Sequence, residues 1–202
     1  MTQSGDSLEG YELLLCATGG IACYKAAALV SRLAQAGAGV SVAMTDAAGR
    51  FVAPLTFQSL SGRRVHTGLW DAVEHYDAEH VHLTDRADLM IVAPATANFI
   101  GKMASGIADD LVTTLAMTAT GSCPILLAPA MNSHMWASPV VQANLARLGK
   151  LDDLHTVGPN EGHLACGTVG MGRMAEPDEI FSAVCELLRQ SPPKAGVADN
   201  SH

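Results

Sequence analysis

The stretch "YELLLCATGGIACYKAAALVSRLAQAG", residues 11–37, decides the fold. Its first seven residues are a short apolar run too brief for a helix, closed by Thr18-Gly19-Gly20. Behind the glycines, Ile21, Tyr24, Lys25, Ala28, Leu29, Arg32, Leu33 and Ala36 recur at helical spacing, and Gly37 supplies a C-terminal stop. The reading is strand, tight turn, helix. Three further apolar runs, "VSVAMT" (40–45), "DLMIVAP" (88–94) and "PILLAPA" (124–130), are each followed by small or polar residues that open a helical segment. Fully apolar strands alternating with helices predict an α/β fold, a doubly wound parallel sheet covered on both faces. Such sheets bind ligands outside the carboxyl ends of their strands.

Length and composition narrow the remaining classes. A chain of 202 residues, 49% hydrophobic, can bury a sizeable core and predicts one domain over residues 1–190. The segment 191–202, "SPPKAGVADNSH", has no apolar periodicity and is expected to be a disordered extension. Twenty acidic residues against 12 basic ones leave no basic stripe for a nucleic acid backbone. The N-terminal residues show no cationic leader or apolar core of a signal, and no run reaches the ~18 apolar residues of a membrane span. No membrane partner and a cytoplasmic location are expected. Five cysteines without paired spacing predict neither a disulfide framework nor a zinc knuckle, so the thiols should be reduced and several buried.

Four turns, "TGGIA" (18–22), "MTDAA" (44–48), "APATAN" (93–98) and "APAMN" (128–132), follow strands and should converge on one rim. Gly19 and Gly20 allow two readings: a tight turn only, or a close approach of backbone N–H groups to an anion at the start of a helix. The hydroxyls of Thr45 and Thr96 and the amide of Asn98 at neighbouring strand ends favour a phosphorylated cofactor. In "EHVHLTDRAD" (79–88), His80 and His82 share one side of an extended segment or occupy nearby helical positions. No carboxylate or cysteine stands at matching ligand spacing, so no metal is expected. Cys166 falls in "GHLACGTVGMGRMAE" (162–176), read as a Gly-rich loop, where a cysteine is either functional or incidental.

Taken together, "TGGIACYKA", "HVHLTDRADLMIVAPATAN", "GKMASGIADDLVTTL", "PAMNSHMW" and "LACGTVGMGRMAE" resemble the flavin-dependent cysteine decarboxylases over roughly residues 11–188. The Pro-Ala-Met-Asn block is the specific signal; the Gly-Gly turn is shared more widely. The resemblance implies a Rossmann-like flavoprotein, flavodoxin-like in its three αβα layers, with FMN as cofactor and a small-molecule substrate. It is strongest toward the branch that acts on 4'-phosphopantothenoylcysteine in coenzyme A biosynthesis. Carried over by position, it implies His80 as active-site base, Asn132 as the amide holding the substrate carboxylate, and Cys166 as the proton donor to the reduced intermediate. Ala95, Thr96, Ala97 and Asn98 would line FMN, completed by Gly19, Gly20, Ile21 and Thr45, with Phe57 packed on its ring system. Met131, Met135 and Trp136 would exclude water from the substrate. Cys23 and Gly20 depart from what many relatives carry.

The chemistry accounts for these residue types. A cysteine carboxylate has no sink for the electrons left by CO2 loss; oxidation of the thiol to a thioaldehyde supplies one, and the enethiol that follows must be reduced and protonated. An amide reads a carboxylate without neutralising it, whereas an arginine would stabilise the ground state. The resemblance also implies a homo-oligomer, trimers or dodecamers built from them, and either a ligase for the preceding step on a separate chain or an unrelated substrate. Two other functions fit the same residues: decarboxylation of a peptide C-terminal cysteine or other cysteine metabolite, and flavin binding by a non-catalytic regulatory protein.

Overall fold

Strand β1 (Glu12–Ala17) forms where the sequence places its first apolar run, and α1 (Cys23–Gln35) follows the glycine turn. β2 (Gly39–Met44), α2 (Pro54–Ser61) and a two-residue β3 (Val65–His66) complete one half. The other half runs α3 (Glu79–Arg86), β4 (Leu89–Ala95), α4 (Ala97–Ala104), α5 (Leu111–Ala119) and β5 (Ile125–Pro129). It continues through α6 (Ser133–Trp136), α7 (Pro139–Leu148) and β6 (Leu154–Thr156), then β7 (Asn160–His163), β8 (Val169–Arg173) and α8 (Pro177–Leu188). The computed structural model describes residues 7–69, 79–163, 167, 169–189 and 191–194. Glu79 and His80 are described as helical backbone only; Cys166 lies outside the described residues.

Six strands form one sheet in the order β3-β2-β1-β4-β5-β6, every neighbouring pair parallel. The period of two along each strand divides the interior into two cores. Leu13, Leu15, Val40, Val42, Leu89 and Ile91 point to one face, under α1, α2 and α8. Leu14, Cys16, Met90, Val92, Ile125 and Leu127 point to the other, under α4, α5 and α7. This is the three-layer αβα arrangement expected from the runs of apolar residues. The strand order reverses between β1 and β4, which opens a crevice at their carboxyl ends.

Several segments differ from their sequence reading. The buried face of α1 consists of Cys23, Lys25, Ala26, Leu29, Val30 and Leu33, while Ile21 and Tyr24 stand 58% and 61% exposed. The segment 79–86 is helical, which removes the extended alternative for His80 and His82; His82 is exposed. The stretch 162–176 is not a plain loop: β7 and β8 pair antiparallel as a separate two-stranded sheet, with Cys166 in their connection. The hairpin escaped the apolar pattern because its strands face little core.

Residues 191–194, the start of the expected extension, are tied down. The Lys194 backbone N–H donates to Asp88 Oδ1 at 2.7 Å, and its ammonium donates to the carbonyls of Asp85, Ala87 and Ser122 at 3.2, 2.8 and 3.1 Å. The other Asp88 oxygen accepts the Glu12 N–H at 2.7 Å, so one carboxylate links β1 to Lys194. Among the described residues no helix is long and apolar enough to cross a membrane.

Candidate active site

At the carboxyl end of β1 the chain turns through Thr18, Gly19 and Gly20. Thr18 is 2% exposed, and its hydroxyl sits 2.6 Å from the Pro94 carbonyl, to which it donates. It accepts the Thr96 N–H at 3.2 Å and lies 3.1 Å from the Thr96 hydroxyl. Thr96 is itself the N-cap of α4, its hydroxyl accepting the Phe99 N–H. One buried hydroxyl therefore fixes the "APATAN" turn against the glycine turn. Cys23 closes the ring from the other side, its thiol donating to the Thr18 carbonyl at 3.1 Å; burial pushes this thiol above its ordinary range.

The two glycines have different reasons to lack a side chain. A Cβ on Gly19 would stand 2.4 Å from the Ala47 Cβ and 3.0 Å from its carbonyl carbon, so the close approach of the 45–48 turn demands glycine. A Cβ on Gly20 would meet the Thr96 Cγ2 at 3.6 Å and the Pro94 Cγ at 3.9 Å, both ordinary contacts. Neither has a positive φ. No protein atom explains Gly20, and the space over it belongs to a cavity. Behind it, the α1 N-cap is Ala22, which offers no side-chain acceptor, and the first turn carries no acidic residue. The start of this 13-residue helix is open to an anion.

The crevice holds two cavities, of about 750 and 560 Å³. Gly19, Thr96 and Asn98 line both. Gly20, Ile21, Ala97, Met131, Asn132 and Met135 line the first, with Lys25, Arg173 and Glu176. Thr45 lines the second, its hydroxyl accepting the Ala48 N–H at 3.2 Å. There Lys102 pairs with Asp109 at 2.7 Å and Asp110 at 3.0 Å, which holds its ammonium above the ordinary range. Burial alone would raise Asp110, but the Thr113 N–H and Lys102 outweigh it and hold the carboxyl below its usual range.

Asn132 follows β5 as the N-cap of α6, and its Oδ1 accepts the Met135 N–H at 2.9 Å. With the oxygen committed to the cap, the amide presents its N–H2 as the free end. The hairpin closes on this turn: Met131 N–H donates to the Gly172 carbonyl at 2.9 Å. Gly172 has φ 132°, and a Cβ there would stand 2.2 Å from the Met131 oxygen.

Of the residues implied from sequence, Gly19, Gly20, Ile21, Thr45, Thr96, Ala97, Asn98, Met131, Asn132 and Met135 are thus brought to the crevice wall. Phe57 is not: it is 0% exposed in the core beneath α2, with no surface left for a ring system. Ala95 is likewise fully buried as the last residue of β4, contributing its carbonyl to the Ala130 N–H. Trp136 is half-buried on α6 and lines neither cavity. The side chains of His80 and Cys166 fall outside the described residues. Sequence reasoning missed Thr18, Lys25, Arg173 and Glu176; only Thr18 had a signal, a hydroxyl at the first position after a strand. Among the described residues no cluster of three metal-ligating side chains occurs. Burial also pushes Cys16 upward and Cys123 to about 11, so neither titrates near neutrality.

A doubly wound sheet with a glycine turn, an open helix start and a capping amide at its switch point is the architecture of a flavin-binding protein. The chain belongs to the Flavoprotein family, whose pattern it matches over residues 1–189. It is 51% identical over 173 residues to the coenzyme A biosynthesis bifunctional protein CoaBC of Bacillus subtilis, covering 86% of this chain and 42% of that one. With the CoaBC of Escherichia coli K12 the identity is 43% over 171 residues, 85% and 41% of the two chains. The chain thus spans less than half the length of these relatives. Among solved structures, a mutant PPC decarboxylase complexed with pantothenoylaminoethenethiol superimposes with TM-score 0.80 at 30% identity, over 91% of this chain and all of the other. The FMN binding protein AtHal3 does so at 0.78 and 29%, over 91% and 100%.

Proposed function

We propose that this chain is an FMN-dependent carboxy-lyase that converts 4'-phosphopantothenoylcysteine to 4'-phosphopantetheine. The observation that carries the reading is Asn132, an amide whose oxygen is spent on a helix cap and whose N–H2 is left to the crevice. The CoaBC relatives and the PPC decarboxylase structure support the substrate class.

The residues present fit FMN. Gly20 leaves room that no protein atom fills, the α1 N-terminus lacks an internal anion, and two adjoining cavities share Gly19, Thr96 and Asn98. Gly19, Gly20, Ile21, Thr45 and the 96–98 turn would hold it. When bound, FMN supplies reversible two-electron oxidation of the substrate thiol, which gives the electron sink that CO2 loss requires.

The protein's own groups do the rest. Asn132 binds the substrate carboxylate through N–H2 without cancelling its charge, which keeps the carboxylate ready to leave as CO2. His80 accepts the thiol proton, since an imidazole titrates near neutrality. Cys166, carried between β7 and β8, donates a proton to carbon as the enethiol is reduced. The ligand of the PPC decarboxylase mutant is itself an enethiol by name, the species this sequence of steps requires. Met131 and Met135 shield the bond being broken.

A homo-oligomer, at least a trimer, belongs to the same proposal: Ile21, Tyr24 and Met135, 58%, 61% and 46% exposed, form an apolar rim on the cavity that a neighbouring copy would cover. Light scattering that found a flavin-loaded monomer at micromolar concentration would refute it. The catalytic reading is tested by the visible spectrum of the purified protein, followed by thiol-product assays with phosphopantothenoylcysteine and with a cysteine-ended peptide. Turnover of the peptide alone, or bound flavin with no turnover of either, overturns it.

A further inference from the structure

We propose that Arg173 reads the phosphate at the far end of the substrate, and that Lys25 and Glu176 form the pair that leaves it free to do so. The inference rests on the decarboxylase reading above. Among the described residues lining the larger cavity are Lys25, Arg173 and Glu176, two cations against one carboxylate, with His163 beside them. Lys25 is 7% exposed and donates to the Met174 carbonyl at 3.1 Å and to Glu176 Oε1 at 2.9 Å. Arg173 reaches that same Oε1 with one nitrogen, at 3.0 Å. Its Nε is buried and has no acceptor.

Two cations on one oxygen are not equivalent. Lys25 is enclosed and cannot leave without burying a bare charge, whereas Arg173, 39% exposed in its side chain, is paired at i,i+3 on the surface, where such a pair costs little to break. If Arg173 turns to an incoming anion, Glu176 keeps Lys25 as partner and nothing is stranded. The next carboxylate, Glu179, is held by other donors: its Oε2 accepts the Glu176 N–H and the Asn160 amide, each at 2.7 Å. The guanidinium stem lies across β7 at Gly162, where a Cβ would stand 3.1 Å from Nε and 3.2 Å from Cδ and Cζ. β7 is thus cut away where Arg173 passes.

The ligand class follows from the donor. A planar fork with an unused N–H suits a phosphate monoester, which accepts two parallel bonds. The substrate's carboxylate is the wrong target, because a guanidinium on it would stabilise the state that must lose CO2. The phosphate of FMN is the other source of the same chemistry, and its place is the open start of α1 over Gly20.

The test uses flavin-loaded wild type, Arg173→Gln and Arg173→Lys, titrated calorimetrically with 4'-phosphopantetheine and with pantetheine. Wild type should bind the phosphorylated ligand roughly 10- to 100-fold more tightly, the worth of a charge-assisted bond lost. In Arg173→Gln this preference should fall below about threefold through loss of the phosphorylated ligand alone, with bound FMN unchanged and Arg173→Lys intermediate. Equal weakening of both ligands, loss of FMN, or no preference in wild type each overturns the proposal. Selective phosphate binding with no turnover of phosphopantothenoylcysteine would uphold Arg173 and sink the decarboxylase reading instead.

Discussion

Replacing Gly20 by alanine pits the protein's own stability against its cofactor. The added methyl meets the Thr96 Cγ2 at 3.6 Å and the Pro94 Cγ at 3.9 Å, both ordinary contacts, and the backbone is outside the left-handed region, so the apo fold has no reason to object. Removing a glycine's freedom from the unfolded chain stabilises by about 0.4–1 kcal/mol, which is about 1–4 °C in Tm for a domain of this size. The same methyl projects into the space assigned to FMN, where overpacking costs about 1–3 kcal/mol, a loss of roughly 5- to 150-fold in affinity. Flavin fluorescence quenching on the apo protein reads the second effect and a thermal melt without flavin reads the first. Gly19→Ala is the control: its Cβ would overlap Ala47 at 2.4 Å, so this variant should melt lower whether or not flavin is present. If Gly20→Ala binds FMN with the wild-type constant, Gly20 is only a turn residue and the cradle does not exist.

Asn132→Asp retains an oxygen for the Met135 N–H, so its melting point should hold within about 2 °C, yet it should neither bind nor turn over the substrate, because like charge repels the carboxylate; retained turnover would refute the amide's role. His80→Asn should keep its bound flavin and lose thiol oxidation while His82→Asn stays active, and equal loss in both would mean the base is misassigned. Cys166→Ser should release CO2 but accumulate the enethiol in single-turnover mass spectrometry; a saturated thiol at the wild-type rate would remove this cysteine from the chemistry. Thr18→Val strands the Pro94 carbonyl and the Thr96 N–H, at a cost of about 1–3 kcal/mol, visible as a lower denaturation midpoint at unchanged m; an unchanged midpoint would show the hydroxyl to be dispensable. Arg63 hydrogen-bonds Glu12 and holds its carboxyl below the ordinary range, so the pair stabilises above the unfolded carboxyl's pKa of about 4.3 and the gain is lost as pH falls through the folded value. Glu12→Gln should therefore flatten the acid limb of the stability curve, and an identical limb would refute the linkage.

The four strands β1, β2, β4 and β5 were legible because both their faces are covered, so they read as continuous apolar runs. The edge strands were not: β3 has two residues and β6 only three, with little side-chain burial to leave a pattern. The hairpin β7–β8 was hidden for a related reason, since its glycines answer to close contacts such as Gly172 with Met131 rather than to a core. In the site, Gly20, Thr96, Asn98 and Asn132 could be found because each stands one step beyond an apolar run. Lys25, Arg173 and Glu176 could not. Lys25 meets its carboxylate 151 positions away, and a lysine inside a helical stripe looks like any solvated lysine until α8 is laid against α1. Phe57 shows the opposite error, an aromatic transferred by position that the fold spends on its own interior.

The anchoring of Lys194 has a geometric consequence. Its partners, Asp85, Ala87, Asp88 and Ser122, precede β4 and β5, and through Asp88 it reaches the first residue of β1. These are the amino ends of the strands, and the crevice lies at their carboxyl ends. A strand of six residues such as β1 is about 20 Å long, so the polypeptide leaves position 194 with the full height of the sheet between it and the bound ligand. The backbone at position 194 and the crevice are thus held at opposite ends of the same strands, one at the amino side of the sheet and the other at the carboxyl side.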